Sequence, residues 1–230
     1  MGHQLRRARI LVAALFALVF PSLAGASHSW NGHHWERTSA ERTLTIAESV
    51  TSSYSPQAVR DNWDDPVGAI AFSLASKGEI KAESKSFGNS GWIGLAQIWI
   101  QGGHIVKGQV KLNEFYYPFY PDLDRPEVRQ QVYCQELGHV LGLDHQDVAD
   151  SCMNDENDLF TTAYPEPSGH DVNQLNDIYN HLDESGGGGG GGNGGGPPCE
   201  KNPSHPNCQL QGPFVVDVVP APGNGLALGR

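Results

Sequence analysis

The chain has 230 residues, with 26 acidic against 15 basic side chains and a formal net charge of −11. Nucleic acids and anionic membranes are recognised through basic patches, so this balance argues against both as partners. Four cysteines fall into two sequence-local pairs, Cys134 with Cys152 and Cys199 with Cys208.

At the start of the chain Arg6, Arg7 and Arg9 precede an apolar run from Ile10 to Phe20 and the small residues Ala24-Gly25-Ala26. That order is expected of a secretory signal peptide, residues 1–26, cleaved after Ala26; an uncleaved anchor is the alternative. The run is short beside the roughly 20 residues a bilayer span needs, and no later segment approaches that length. A secreted, extracellular chain with no membrane span after signal removal is therefore expected. An oxidising compartment favours disulfides over free thiols.

A body, residues 27–184, follows. "RTLTIAESV" alternates apolar and polar residues with β-branched enrichment and predicts a strand at about 42–50. In "SPQAVRDNW" Pro56 sits one residue after a plausible Ser55 cap, which predicts a helix start. "AIAFSLAS" reads as a second strand, and "GWIGLAQIWIQGGHIVKGQVKLNEFYY" as two strands joined through Gly102 and Gly103. After Pro126 the pattern turns helical, from about Glu127 to Leu141, with Gly142 as its stop. "SGHDVNQLNDIYNHLDE" places Val172, Leu175, Ile178, Tyr179 and Leu182 at helical spacing. Strands first, with helices flanking and following them, predict an α+β fold.

Residues 185–198, "SGGGGGGGNGGGPP", have almost no side chains to bury and read as a flexible linker. The tail, 199–230, is too short for a core of its own. In it "CEKNPSHPNC" looks like a small disulfide-closed loop between Cys199 and Cys208, and "FVVDVVP" either pairs as a strand or stays loose.

The chemistry concentrates in "QELGHVLGLDH", residues 135–145. On a helix, positions four apart share a face, so Gln135 and His139 converge on one ion with Glu136 beside them. Gly142 lets the chain turn back and bring His145 round from a loop. Three protein ligands with an open position for water are what a catalytic zinc needs.

This segment resembles the metzincin pattern H-E-x-x-H-x-x-G-x-x-H at every specified position except the first, where Gln135 stands for histidine. Its wording around Gly138-His139 and Leu141-Gly142-Leu143 resembles the matrixin branch, the matrix metalloproteinases and their bacterial relatives. Met153 in "SCMN" resembles the family's Met-turn, "GLAQIWI" its substrate-binding edge strand, and "GHDVNQLNDIYNHL" its closing helix; the first helix is shorter than the family's.

The resemblance implies a metzincin-type catalytic domain: a twisted mixed sheet, an active-site helix and a C-terminal helix. It implies Zn2+ held by Gln135, His139 and His145, with Glu136 as general base in peptide-bond hydrolysis. A peptide or protein substrate would lie along the edge strand at Leu95 and Ala96, with Tyr164 in the wall of the specificity pocket; an ordinary loop turn is the alternative for Tyr164. A monomer is expected. A disulfide from Cys134 to Cys152 would staple the active-site helix to the Met-turn, with two buried thiols as the alternative.

Gln135 offers a neutral amide oxygen, a poorer zinc donor than imidazole. A catalytically silent binding module of the same fold is therefore the main rival to a metalloendopeptidase, and a tethering exoprotein acting through linker and tail is a third possibility. Of the remaining histidines, His28, His33 and His34 are expected on an exposed N-terminal arm with Trp35 packed on the body. His104 is expected solvated in a hairpin turn, and His170 and His181 exposed or capping at the ends of the last helix. "FYYPFYP", 115–121, is expected to be a loop packed on the core.

Overall fold

A computed structural model of the protein describes residues 28–147, 150–155, 158–183 and 209–222. The expected signal peptide, the expected glycine-rich linker and the expected Cys199–Cys208 pair lie outside the described residues. The fold is α+β, built on a mixed sheet of seven strands among the described residues.

The strands are β1 (His34–Trp35), β2 (Arg42–Ser49), β3 (Ile70–Leu74), β4 (Ile80–Lys85), β5 (Trp92–Gln101), β6 (His104–Asn113) and β7 (Gln211–Pro220). The helices are α1 (Pro56–Val67), α2 (Pro126–Val140) and α3 (Gly169–Ile178). The sheet order is β3-β2-β4-β6-β5-β7, and β1 pairs with β6 beyond the end of β4. β2, β3, β4 and β6 run parallel, whereas β5 is antiparallel to β6 and to β7. Parallel neighbours need a crossover connection, and α1 supplies it between β2 and β3. The β5–β6 hairpin turns on Gly102 and Gly103, both at positive φ, as its sequence predicts.

The sequence gives no clear expectation of three of these strands. β4 lies in "IKAESK", where polar residues dominate, and β1 is two residues long. β7 settles the open question about "FVVDVVP", which pairs along β5 from Trp92 opposite Pro220 to Ile100 opposite Gln211. Val219 and Ala221 are buried in the same core as the body.

Helix α2 packs on β5 and β6 and touches β7, α1 leans on β3 and α2, and α3 leans on α1. Leu44, Ile46, Ile80, Ile98, Val110 and Leu112 of the strands meet Trp63, Val132, Leu137 and Val140 of the helices in one core. The aromatic loop packs as expected: Tyr116 and Tyr117 are buried, and the Arg129 guanidinium lies 3.7 Å over the Tyr117 ring.

Fully buried Asn113, at the end of β6, organises the approach to β5. Its amide nitrogen donates to Gly88 O, Ser90 Oγ and Trp92 O at 2.8–3.0 Å, and its oxygen accepts from Phe87 N and Phe115 N. Removing it takes a partner from five polar groups at once, four of them on half-buried residues. Asn113→Ala should therefore lower unfolding stability by about 2–4 kcal/mol, measured by urea denaturation; a change near zero would show that these bonds are replaced by water.

Candidate active site

Twelve of the 15 residues of α2 are buried, so the helix shows no single apolar stripe and carries polar side chains into the interior. Gln135, Glu136 and His139 are among them, at 5%, 0% and 0% exposure. The helix ends at Val140, and Gly142, at φ 114°, turns the chain back toward His145, as the spacing predicts.

His139 and His145 come together, with ring centroids 4.7 Å apart and planes inclined at 69°. His139 Nδ1 lies 2.9 Å from Leu143 O, an acceptor only, so Nδ1 carries the proton and Nε2 presents a lone pair. His145 Nδ1 faces the Asp155 carboxylate at 3.4 Å. Partners of this kind fix the tautomer and orientation of a metal-ligating imidazole. Asp155 has no recognisable motif around it and is not identifiable from sequence.

Glu136 is set against β5 at Gly94, where an added Cβ would strike Glu136 Oε1 and lie 2.8 Å from Val132 Cγ1. Only glycine lets the strand come this close to the carboxylate. On the opposite flank Gly138 admits the Met153 thioether: a Cβ there would sit 2.5 Å from Met153 Sδ and 2.8 Å from Trp63 Cζ2. Met153 therefore lies against α2 at Gly138.

The Met153 turn is tied down in two ways. Cys134 and Cys152 form a disulfide, with a Cα–Cα distance of 6.0 Å, joining α2 to this turn. Ser151 Oγ donates to Asp171 Oδ2 at 2.6 Å and accepts from Met153 N at 2.9 Å. Asp171 also completes the capping box with Ser168 that starts α3, so one buried carboxylate links helix start and turn.

Leu95 and Ala96 are buried on β5, but β5 is not an edge: β7 pairs along it, placing Val218 opposite Leu95 and Asp217 opposite Ala96. The tail's own strand thus fills the position expected for an extended peptide. Tyr164 is held to α2 through its backbone N–H, which donates to Gln131 Oε1 at 2.7 Å.

The N-terminal histidines are not on an exposed arm. His28 and His34 are buried, because residues 28–37 strap across the end of α2: Trp30 N donates to Gly142 O, Asp144 N to His28 O, and Trp35 Nε1 to Val140 O. Trp35 packs in the core as expected. His104 is buried at the first residue of β6 rather than solvated, since β1 pairs beside it, and half-buried His170 stacks on His28 at 4.7 Å. His34, His104 and Asp183 form a buried group that can hold a metal ion, their ligand atoms all within 4.8 Å of one another. Burial lowers the His34 pKa, while the Asp183 carboxyl, against the opposing effect of burial, is held below its usual range by Arg37 N–H and His104.

The sequence matches no model of a known protein family and no curated protein. Among the described residues no helix is long and apolar enough to cross a membrane.

Breaking the helix-to-turn staple should be visible directly. The Cys134→Ala/Cys152→Ala double variant should lose about 3 kcal/mol of stability, the scale expected for a loop of this length, with a matching fall in thermal midpoint; an unchanged midpoint would mean the turn is held by Ser151 and Asp171 alone.

Proposed function

We propose that this chain is an exported zinc-dependent metalloendopeptidase of the matrixin-like metzincin kind, acting on peptide or protein substrates. The observation that carries this reading is the His139–His145 pair, each ring oriented through Nδ1, beside a fully buried Glu136 set against a strand. Two imidazoles and one amide oxygen from Gln135 suit the borderline-soft zinc ion, although less tightly than three imidazoles would.

When bound by His139, His145 and Gln135, zinc would supply Lewis-acid polarisation of the scissile carbonyl and make a water more acidic. Glu136 accepts the proton of the attacking water at its carboxylate and delivers it to the leaving amine. Its position is fixed by Gly94 of β5 on one side and by the helix on the other. Backbone groups of β5 at Leu95 and Ala96 align an extended substrate by strand addition, and Tyr164 borders its side-chain pocket. The pairing of β7 with β5 supports strand addition as the binding mode, and it makes the tail the occupant a substrate must displace.

A second reading is a catalytically silent binding module of the same fold, favoured by Gln135 in a ligand position. Retention of Glu136 favours the enzyme, because a binding module has no need of a general base.

The two readings separate in a zinc-loaded full chain assayed on a casein-like substrate. For an enzyme, Glu136→Ala should lower kcat by about 100- to 10,000-fold with zinc content unchanged. Gln135→His should tighten zinc binding and Gln135→Ala weaken it. Gly212→Ala, whose Cβ would lie 2.7 Å from Ile98 O, should loosen β7 and raise kcat/KM. Hydrolysis indifferent to Glu136→Ala removes the mechanism, and no hydrolysis even in the Gln135→His/Gly212→Ala double variant leaves the binding module.

A further inference from the structure

Three imidazoles converge on one buried carboxylate oxygen on the far side of the N-terminal strap. Asp183 Oδ1 lies 3.4 Å from His34 Nε2, 3.1 Å from His104 Nε2 and 3.3 Å from His181 Nε2. The rings stand edge-on, with His34 5.0 Å from His104 and 4.9 Å from His181 between centroids. His34 and His104 are cross-strand partners on β1 and β6, while His181 and Asp183 follow α3. The site thus draws on the start, the middle and the end of the body.

Hydrogen bonding alone does not account for this convergence. His34 Nδ1 faces Gly32 O at 2.9 Å, an acceptor only, so Nε2 presents a lone pair to the lone pairs of Asp183 Oδ1. For the neutral ring such a contact is repulsive until a metal cation, or a second proton on the imidazole, lies between the two atoms. His104 Nε2 is buried and approaches the same Asp183 oxygen at 3.1 Å without the alignment of a good hydrogen bond. The second carboxylate oxygen is already engaged, accepting from Arg37 N at 2.6 Å. Backbone and carboxylate partners of this kind are the outer support that metal ligands use.

We propose that His34, His104, His181 and Asp183 form a second, structural zinc site. A tetrahedral zinc with bonds of about 2.0–2.1 Å separates its ligand atoms by about 3.3 Å; each histidine stands near that distance from Asp183 Oδ1, His34, His104 and Asp183 lie within 4.8 Å of one another, and half-buried His181, outside that group, closes in as the fourth ligand when the ion binds. Four protein ligands leave no open position, the mark of a structural rather than a catalytic site. The ion clamps the strap to the segment after α3. That strap bonds to Gly142 and Asp144 on either side of the turn leading to His145, so the clamp supports the candidate active site without belonging to it.

The test isolates this site from the first. In the full chain, His139→Ala/His145→Ala removes the candidate catalytic ligands, and zinc content after equilibration at micromolar free Zn2+ reports what remains. About one zinc per chain is expected to persist, with a rise in thermal midpoint on adding Zn2+ that a chelator reverses. Adding His181→Ala should weaken zinc binding by more than about 100-fold, beyond the 10–100-fold typical of losing an outer partner. His104→Ala should do the same; should it fail to fold, half-buried His181 decides, because its truncation opens no core cavity. No zinc retained in the His139→Ala/His145→Ala chain, or retained zinc indifferent to His181→Ala, overturns the proposal. Loss of proteolysis plays no part in this outcome, so it can fail while the proposed activity stands, and the reverse.

Discussion

Helix α2 is enclosed on nearly every side, and a buried helix carrying Gln135, Glu136 and His139 requires polar groups to meet it from the surrounding elements. The neighbours are shaped by that demand. β5 approaches closely because Gly94 has no side chain, and the Met153 thioether fits because Gly138 has none. Trp63 Nε1 and Trp35 Nε1 donate to Cys134 O and Val140 O, giving an interior and the last helix carbonyl an indole donor each. The disulfide and the Ser151–Asp171 hydrogen bond then fix the turn that closes the other side.

The ends of the body are organised around the same helix. Residues 28–37 cross the turn after α2, Tyr179 OH donates to Leu141 O while accepting from Trp35 N, and Arg37 holds the backbone at Tyr179 and His181. Asp171 and Asp183 each join an N-terminal histidine to the C-terminal part of the chain, His28 at 3.8 Å and His34 at 3.4 Å. β7 adds a third layer of closure by covering β5, so the strand next to Glu136 is enclosed by the chain's own tail.

Much of this is legible in the sequence alone. β2, β3, β5, β6 and the three helices follow from alternation, proline and glycine placement and helical spacing, because those signals are local. The convergence of His139 with His145 follows from helix geometry and a glycine stop. What local signals cannot carry is long-range pairing. The two-residue β1 gains its identity only from His104, and β4 is a polar strand whose partners lie on both sides. The cluster at Asp183 joins residues up to 149 positions apart, so read alone His34 is expected on an exposed arm, His104 solvated and His181 exposed or capping. The short His181-Leu182-Asp183 spacing was the one trace of it in the sequence.

The proposed ion between His139 and His145, beside Glu136, is tested most directly by anomalous diffraction at the zinc edge from crystals of the Zn2+-loaded full chain. A peak within bonding distance of His139 Nε2 and His145 Nε2, on the side of Gln135, is the expected result. Ordered His139 and His145 side chains with no anomalous density between them would contradict it.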